Sequence, residues 1–287
     1  MPVFIIVSLS NAVGSANSAL YLINTERGKD VPRNKLKIWV QPSIMETFTT
    51  QSGPKVVAWH LILGILLSII FTVVFVKLFD FVKDNGHDVT PFDHALLFWM
   101  YHHRAPFLTQ AATILAHVGS PPVIVGIAVA AALLGLAWRQ VRGAAWTLPI
   151  AVMGAGVIIQ AVKLLVRRPR PSFFTPLLHE AGYSFPSGHS LIAIVVYGLL
   201  GYFTMHLFRS HIARAVVFVI TALLIFSIGI SRVYVGVHYP TDVLAGWTAG
   251  VPWLLACLAL HEALARRWPS TGEPVLRSGG LLPERRH

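Results

Sequence analysis

The sequence predicts an all-α polytopic membrane protein whose six transmembrane helices form a bundle. Two observations support this fold class. Of the 287 residues, 55% are hydrophobic and only 12% are charged, whereas about a quarter of the residues are charged in a typical soluble domain. In addition, six apolar runs are long enough to cross a bilayer as helices, which takes about 20 residues each. Few charges interrupt these runs, and this argues against a soluble protein with buried helices.

The six runs divide the chain into a leader, a membrane domain and a tail. They cover Val56–Phe79, Pro121–Trp138, Ala144–Val166, Ser190–Phe208, Ile212–Ile230 and Val243–Leu264. Residues 56–264 therefore form the predicted membrane domain. We expect residues 1–55 to be a mobile cytoplasmic leader and residues 265–287, rich in Pro, Gly and Arg, to be a disordered tail. Met45 is an alternative start, in which case residues 1–44 are not translated.

The net charge of +11 is explained by the basic residues that membrane proteins carry in the loops between their spans. Basic residues lie mainly between the apolar runs, so nucleic-acid binding is not predicted. The single cysteine, Cys257, excludes an intrachain disulfide, and we expect it to be a small core residue. Gly246 and Gly250 in the last run form a pair of small residues that predicts close helix packing rather than ligand binding.

A polar connection from Asp80 to Arg104 follows the first run. It holds several potential metal ligands, namely Asp80, Asp84, Asp88, Asp93, His87, His94, His102 and His103. A metal site is one interpretation of this cluster. The spacings are irregular, however, and the chain has no His-Glu-x-x-His motif. We therefore favour a solvated loop with an interfacial helix, because the aromatic residues between Phe92 and Tyr101 suit the headgroup region.

Three short strings carry the residues that can do chemistry. They are Lys163-x6-Arg170-Pro171, Pro186-Ser187-Gly188-His189 and Ser231-Arg232-x5-His238-x3-Asp242. The first closes the third run, the second opens the fourth, and the third joins the fifth run to the sixth. Counting spans places all three strings on one face of the membrane, whichever way the protein inserts.

The opposite face carries the basic residues that identify it as cytoplasmic by the positive-inside rule. They are Arg139, Arg142, Arg209, Arg214, Arg266 and Arg267. The motif face has five basic residues of its own, which are Lys163, Arg167, Arg168, Arg170 and Arg232. These would argue for the reverse orientation unless they bind an anion. We favour anion binding, and expect an extracytoplasmic site and cytoplasmic termini in the plasma (inner) membrane.

The residue types in the strings suit the transfer of a phosphoryl group, which needs positive charge around the phosphate oxygens. Lys163, Arg170 and Arg232 are the candidate cations, with arginine offering a two-pronged hydrogen-bond donor. The alternative for a basic residue at a helix end is snorkelling to the interface, and we favour this for Arg167 and Arg168.

Ser187 and Gly188 lie where the fourth predicted helix begins. Free backbone N–H groups there favour an anion, and glycine allows a close backbone approach. Ser187 is equally suited to a plain helix cap. We therefore expect this turn to contribute to phosphate binding, by its backbone or by its side chain.

The histidines supply the nucleophile and the acid. His238 and Asp242 are four residues apart, and a carboxylate bonded to one ring nitrogen leaves the other free to attack. We predict that His238 is the nucleophile that forms a phosphohistidine, with Asp242 as its orienting partner. His189 is then predicted to protonate the leaving oxygen.

Together, the three strings resemble the signature of the type-2 phosphatidic acid phosphatase superfamily, which includes vanadium haloperoxidases and glucose-6-phosphatase. The resemblance covers residues 56 to 264, and every signature position is filled. It implies a six-helix membrane protein that hydrolyses phosphates without a metal or other cofactor. It also implies that phosphate is held by Lys163, Arg170, Ser187, Gly188 and Arg232.

The favoured hypothesis is a membrane phosphatase that acts on a lipid phosphate or diphosphate. Undecaprenyl diphosphate, phosphatidylglycerol phosphate and phosphatidic acid are the candidate substrates. One alternative is a vanadate-dependent, haloperoxidase-like enzyme, although those relatives are soluble. Another is a non-catalytic lipid transporter, which would be expected to carry charges within its spans. The sequence leaves the identity of the lipid and the oligomeric state open.

Overall fold

The computed structural model describes residues 3–8, 20–25, 54–84, 89–137 and 142–267. The chain divides into two compact units, Met1–Leu61 and Ile62–His287. In the first unit, β1 (Val3–Ser8) pairs with β2 (Leu20–Thr25) as an antiparallel two-stranded sheet. Both strands fall within the predicted leader, most of which lies outside the described residues, as does the predicted tail after residue 267.

Eight helices follow in the described part of the chain. They are α1 (Pro54–Asp84), α2 (Pro91–His102), α3 (Pro106–Val118), α4 (Pro121–Ala137), α5 (Arg142–Val166), α6 (Gly188–His206), α7 (His211–Tyr234) and α8 (Pro240–Arg267). Five of them begin with proline. The first turn of a helix tolerates this residue, because a backbone N–H at that position has no partner within the helix.

Five of these helices are long and apolar enough to cross a membrane, and they lie in α1, α5, α6, α7 and α8. A sixth candidate span is formed by α3 and α4 together, which meet at a bend of 48°. The prediction of six transmembrane helices is thus confirmed, with one difference in the second span. The predicted run is α4, and residues 106–118, which the sequence left unassigned, form α3.

The polar connection after α1 contains a helix, α2, at the place where an interfacial helix was predicted. Thr90 caps it, because the Thr90 hydroxyl accepts a hydrogen bond of 2.8 Å from the backbone N–H of Asp93. Towards the end of α2 the ring Nδ1 atoms of His102 and His103 lie within 2.8 Å of carbonyl oxygens one turn earlier. These two histidines therefore extend the hydrogen bonding of the helix.

The helix ends converge on one face of the bundle. The N–H of Ser187, at the start of α6, donates to the carbonyl of Asp242 in the first turn of α8. Val82 near the end of α1 packs in one cluster with Val166 at the end of α5. The chain therefore reaches this face at the ends of α1, α5 and α7, and leaves it through α4, α6 and α8.

Helix α6 is the centre of the bundle and α1 is at its edge. Half of the α6 span is buried inside the protein, compared with none of the α1 span. The core around α6 includes Leu148, Leu191, Val195, Leu199 and Ile228. Cys257 is buried in the same core, which confirms its predicted role. Large apolar side chains on the outer faces of the other helices are exposed, as expected for surfaces that contact lipid.

Helices α6 and α8 cross very closely, and glycine makes this crossing sterically allowed. A Cβ atom added to Gly246 would lie 2.6 Å from the carbonyl oxygen of Ser187, and one added to Gly250 would lie 3.0 Å from that of Leu191. The predicted packing role of Gly246 and Gly250 is confirmed. The crossing matters for the site because it holds the first turns of α6 and α8 together.

Candidate active site

A cavity of about 600 Å³ opens on the face where the helix ends converge. Five of the predicted site residues line it, namely Lys163, Arg170, Gly188, His189 and His238. They come from all three strings, so the prediction that the strings meet is confirmed. The other three predicted residues, Ser187, Arg232 and Asp242, are buried immediately around this cavity.

The ring of His238 is buried and faces the cavity with its Nε2 atom. This atom lies 3.3 Å from Nη1 of Arg170. A guanidinium group can only donate hydrogen bonds, so the Nε2 atom of a neutral His238 is the acceptor and carries no proton. The proton of the neutral ring is therefore on Nδ1, and Nε2 has a lone pair directed towards the cations.

The Nδ1 atom of His238 faces Asp242. It lies 3.5 Å from Oδ2 of Asp242, which is close enough for an ion pair. Within the described residues, however, this Nδ1 atom has no well-aligned hydrogen bond. The oxygen itself accepts a hydrogen bond of 2.9 Å from the N–H of Tyr239. Asp242 is thus fixed at the side of the ring opposite to the cavity.

Burial keeps His238 neutral. The imidazole is 1% exposed, and burial lowers its pKa well below the ordinary value, with the positive charges of Arg170 and Arg232 adding to the effect. A neutral ring is the form that can act as a nucleophile. His238 is therefore in its neutral form, with Nε2 free of a proton.

Arg168 forms a buried ionic network behind the nucleophile. Its Nη1 atom donates to Oδ1 of Asp242 at 2.7 Å, and its Nη2 atom donates to Oδ2 of Asp93 at 2.9 Å. The side chains of all three residues are 0% exposed. Thr241 joins the network by donating both its N–H and its hydroxyl to Asp93. Arg168 therefore connects the interfacial helix α2 to the residue that faces His238.

The snorkelling interpretation is wrong for Arg168. A snorkelling side chain keeps its charge in water, whereas the guanidinium of Arg168 is enclosed by two carboxylates and lies 4.1 Å from the ring centre of Tyr239. Arg167 differs from its neighbour, because it is exposed and its Nε atom donates to the carbonyl of Leu164. Adjacent arginines thus have opposite environments, since only one of them points into the bundle.

Two arginines of the strings converge on Glu180, in the connection between α5 and α6. Arg232 pairs with Oε1 of Glu180, and Arg170 approaches Oε2 at 3.2 Å. The same carboxylate lies 3.9 Å from Nε2 of His189 and 4.0 Å from Nε2 of His238. The positive groups that were predicted to surround a phosphate therefore surround a carboxylate.

Glu180 is negatively charged in this setting. Burial alone would raise its pKa, but the positive charge of Arg232, together with that of Arg170, outweighs burial and lowers the pKa below its ordinary value. Sequence reasoning did not identify Glu180. Its only signal was its position, which is between two of the strings.

The two residues of the turn that opens α6 have different roles. Ser187 caps the helix, because its hydroxyl accepts hydrogen bonds from the N–H and the hydroxyl of Ser190. Its side chain is thus engaged within the protein, as the helix-cap alternative predicted. Gly188 lines the cavity, and a Cβ atom there would approach Ile159 at 3.4 Å. The backbone at Gly188 is the part of this turn that is open to an anion.

The bend between α3 and α4 approaches His189. A Cβ atom added to Gly119 would lie 3.3 Å from Cδ2 of His189 and 2.7 Å from Cγ2 of Ile228. Glycine therefore lets this bend form one wall of the cavity. The break in the second span lies at Gly119 and the two prolines that follow it, Pro121 and Pro122.

The described residues contain no group of three or more His, Cys, Asp or Glu side chains that could hold a metal ion. Asp93, which was part of the possible metal cluster, is instead bound to Arg168 and Thr241. Two other members of that cluster, His87 and Asp88, lie outside the described residues. The metal interpretation finds no support in the part of the connection that is described.

Comparison with known proteins agrees with this geometry. The profile of the PAP2 superfamily matches residues 144–266, a range that contains all three strings. The chain is 36% identical over 169 residues to phosphatidylglycerophosphatase B of Bacillus subtilis (strain 168), a match that covers 57% of this chain and 80% of that protein. The chain belongs to the PAP2 superfamily. The predicted resemblance to the type-2 phosphatidic acid phosphatases is therefore confirmed.

Two further matches describe the extent of the likeness. The crystal structure of a transmembrane PAP2 type phosphatidylglycerolphosphate phosphatase from Bacillus subtilis superposes with a TM-score of 0.63 at 28% identity, covering 69% of this chain and 98% of that chain. Undecaprenyl-diphosphatase of Sulfolobus acidocaldarius is 37% identical over 120 residues, which are 40% of this chain and 54% of that protein. This PAP2 protein thus contains the membrane fold of the solved phosphatase almost completely, and the match covers 69% of this chain.

The buried network predicts that Asp93 is needed for stability although it is distant from the cavity. Asp93→Ala leaves Arg168 buried with one carboxylate instead of two. Breaking a buried ion pair costs about 3–5 kcal/mol, so we expect a clear drop in the thermal unfolding temperature of the protein in detergent. Asp80→Ala is the control, because Asp80 is exposed. Equal unfolding temperatures for the two variants would contradict the role of the network.

Proposed function

We propose that this PAP2 protein hydrolyses the terminal phosphate of a membrane lipid through a phosphohistidine on His238. One observation carries the proposal. A single cavity has cations and histidines at one end and an apolar wall from three helices, including Ile124, Ile159 and Ile192. A lipid phosphate has the complementary form, because its headgroup is charged and its tail stays in the bilayer.

In the first step, the phosphate takes its place among Lys163, Arg170 and Arg232, close to the backbone of Gly188. The Nε2 atom of His238 attacks phosphorus, and the bond from phosphorus to the lipid oxygen breaks. The electron pair of that bond goes to the leaving oxygen, which takes a proton from His189. His189 gains this proton when the negatively charged phosphate binds beside it. The cations stabilise the charge on the transferring group.

In the second step, water attacks phosphorus in the phosphohistidine. His189, now neutral, accepts a proton from the water, and the bond from phosphorus to Nε2 of His238 breaks. Inorganic phosphate leaves, and both histidines return to their starting forms. During both steps Asp242 faces the protonated Nδ1 atom and offsets the positive charge that the ring acquires.

The names of the relatives support a lipid as the substrate. Phosphatidylglycerophosphatase B and undecaprenyl-diphosphatase are both named for lipids that carry a terminal phosphate or diphosphate. We therefore propose phosphatidylglycerol phosphate, undecaprenyl diphosphate and phosphatidic acid as the candidates. The higher coverage of the phosphatidylglycerophosphatase favours the first of them.

The proposed mechanism predicts that His238→Ala abolishes phosphate release from each of the three candidate lipids in detergent. Loss of a nucleophile typically lowers turnover by a factor of about 10³ or more. His206→Ala is the matched control, because His206 is an exposed residue at the other end of α6. We also expect EDTA to leave the activity of the unmutated protein unchanged. Full activity of His238→Ala would refute the phosphohistidine.

The apolar wall predicts that the enzyme binds substrates with a long lipid tail more tightly than short-chain substrates. Gly156 lines the cavity, and a Cβ atom there would meet no other atom within 4 Å. Gly156→Leu should therefore fold normally while its side chain fills part of the cavity. We expect the KM for a long-chain lipid phosphate to rise about tenfold, and the KM for a short-chain, water-soluble phosphate ester to stay the same.

Gly126→Leu is the control for this experiment. Gly126 has the same free space around its Cβ position, but it is not among the residues that line the cavity. Its KM for the long-chain substrate should match that of the unmutated protein. If both variants raise this KM equally, the cavity does not hold the tail.

We further propose that the site faces the extracytoplasmic side, with both termini in the cytoplasm. Arg209 and Arg214 flank the short loop between α6 and α7, on the face opposite to the site. Four of the five basic residues on the site face belong to the site, because Lys163 and Arg170 line the cavity and Arg168 and Arg232 are buried in ion pairs. The fifth, Arg167, is exposed. The free basic residues of short loops, which set orientation, therefore favour a cytoplasmic α6–α7 loop.

This orientation predicts opposite labelling of two introduced thiols. Thr175 and His211 are exposed on opposite faces, and the native Cys257 is buried in the membrane core. In intact cells a membrane-impermeant maleimide should label Thr175→Cys and should not label His211→Cys until the membrane is permeabilised. The reverse pattern would show that the site faces the cytoplasm.

A further inference from the structure

Glu180 lies at the centre of the groups that the proposed reaction assigns to phosphate. Its two carboxylate oxygens contact Arg232 and Arg170, and each is about 4 Å from the Nε2 atom of one of the two histidines. An anion with two oxygens thus has the same partners as the phosphate oxygens of the substrate. The connection between α5 and α6 supplies this anion from the protein itself.

The carboxylate and a reacting phosphate exclude each other. Attack requires phosphorus to lie about 3–3.5 Å from the nucleophilic atom. The Oε2 atom of Glu180 is 4.0 Å from Nε2 of His238, so it occupies the volume that the phosphoryl oxygens need. The Nη2 atom of Arg232 already donates to Glu180, so a phosphate that binds to this atom has to displace the carboxylate. Glu180 must leave before the substrate can react.

The surrounding backbone allows the side chain to leave without unfolding the connection. The N–H of Leu177 donates to the carbonyl of Val235 at 2.8 Å, and Arg170 donates to the carbonyls of Ala181 and Gly182. These bonds hold the main chain on both sides of Glu180. The side chain itself is 24% exposed, so rotation about its own bonds can carry the carboxylate to solvent.

We propose that Glu180 is an intramolecular competitor for the phosphate site, a role that rests on the proposed function. In the resting protein its carboxylate neutralises the cations, which would be costly to bury without a partner. The substrate phosphate displaces it. After hydrolysis, the tethered carboxylate returns at a high effective concentration and displaces inorganic phosphate, so Glu180 sets both the affinity for substrate and the release of product.

The test is the affinity for inorganic phosphate, which is measured by isothermal titration of the full-length protein in detergent. Glu180→Gln removes the negative charge and keeps the size of the side chain. We expect phosphate to bind at least about tenfold more tightly, since the competing charge-assisted hydrogen bonds are lost. The KM for the lipid substrate should fall as well, while kcat stays the same or falls with slower phosphate release.

Two further variants control for the length of the side chain and for the change of charge. Glu180→Asp has a shorter side chain that cannot contact both arginines in the same way, so we expect intermediate phosphate affinity. Asp84→Asn makes the same change of charge at an exposed position at the end of α1, and it should leave phosphate affinity unchanged. A purely structural role for Glu180 predicts the opposite sign, because a loosened connection would weaken phosphate binding.

Unchanged or weaker phosphate binding by Glu180→Gln overturns the inference, and so does tighter binding by Asp84→Asn. The measurement does not depend on turnover, so it separates the two proposals. If no lipid phosphate is hydrolysed but Glu180→Gln binds phosphate more tightly, the proposed function fails and the competitor stands. If hydrolysis is normal but Glu180→Gln does not bind phosphate more tightly, the competitor role is refuted and the proposed function is unaffected.

Discussion

The ion pairs of Arg168 are the constraint on which the site depends. Water cannot reach this guanidinium or its partners Asp93 and Asp242, so each charge is stabilised only by the others. The three residues come from α2, from the connection after α5 and from α8, which are far apart in the sequence. Holding them together fixes the first turn of α8 and, with it, the carboxylate that faces His238. The geometry of the nucleophile is therefore a property of the whole site face rather than of one string.

The site also needs the ends of several helices to lie close together, and the packing of the bundle makes this possible. Glycine at the crossing of α6 and α8 removes the side chains that would keep the two helices apart, and Gly119 does the same for the bend beside His189. Polar groups are concentrated where the helices end, because unpaired charges are expensive in the apolar layer. The chemistry is thus confined to one face, with a cavity that continues between α4, α5 and α6.

Much of this arrangement could be predicted from the sequence, and what was missed has two causes. The six spans and the meeting of the three strings follow from apolar runs and from counting, because each helix end is tied to a position in the chain. Arg168 was misread and Glu180 was overlooked, because their roles depend on partners such as Asp93, 75 residues earlier than Arg168. Helix α3 was missed for another reason. Its 13 residues are too few to cross a membrane alone, and only together with α4 do they form a candidate span.

The exposed position of α1 has a consequence for how the protein keeps its shape. Its packed residues, including Phe75, Phe79 and Val82, lie in the last part of the helix, and none of its most apolar stretch is buried by protein. Large apolar side chains between Ile62 and Val76 are exposed on this helix, and a surface of this kind is suited to contact with acyl chains. The surrounding lipid is therefore a structural partner of α1, and we expect a bilayer of different thickness to change the tilt of this helix more than that of α6.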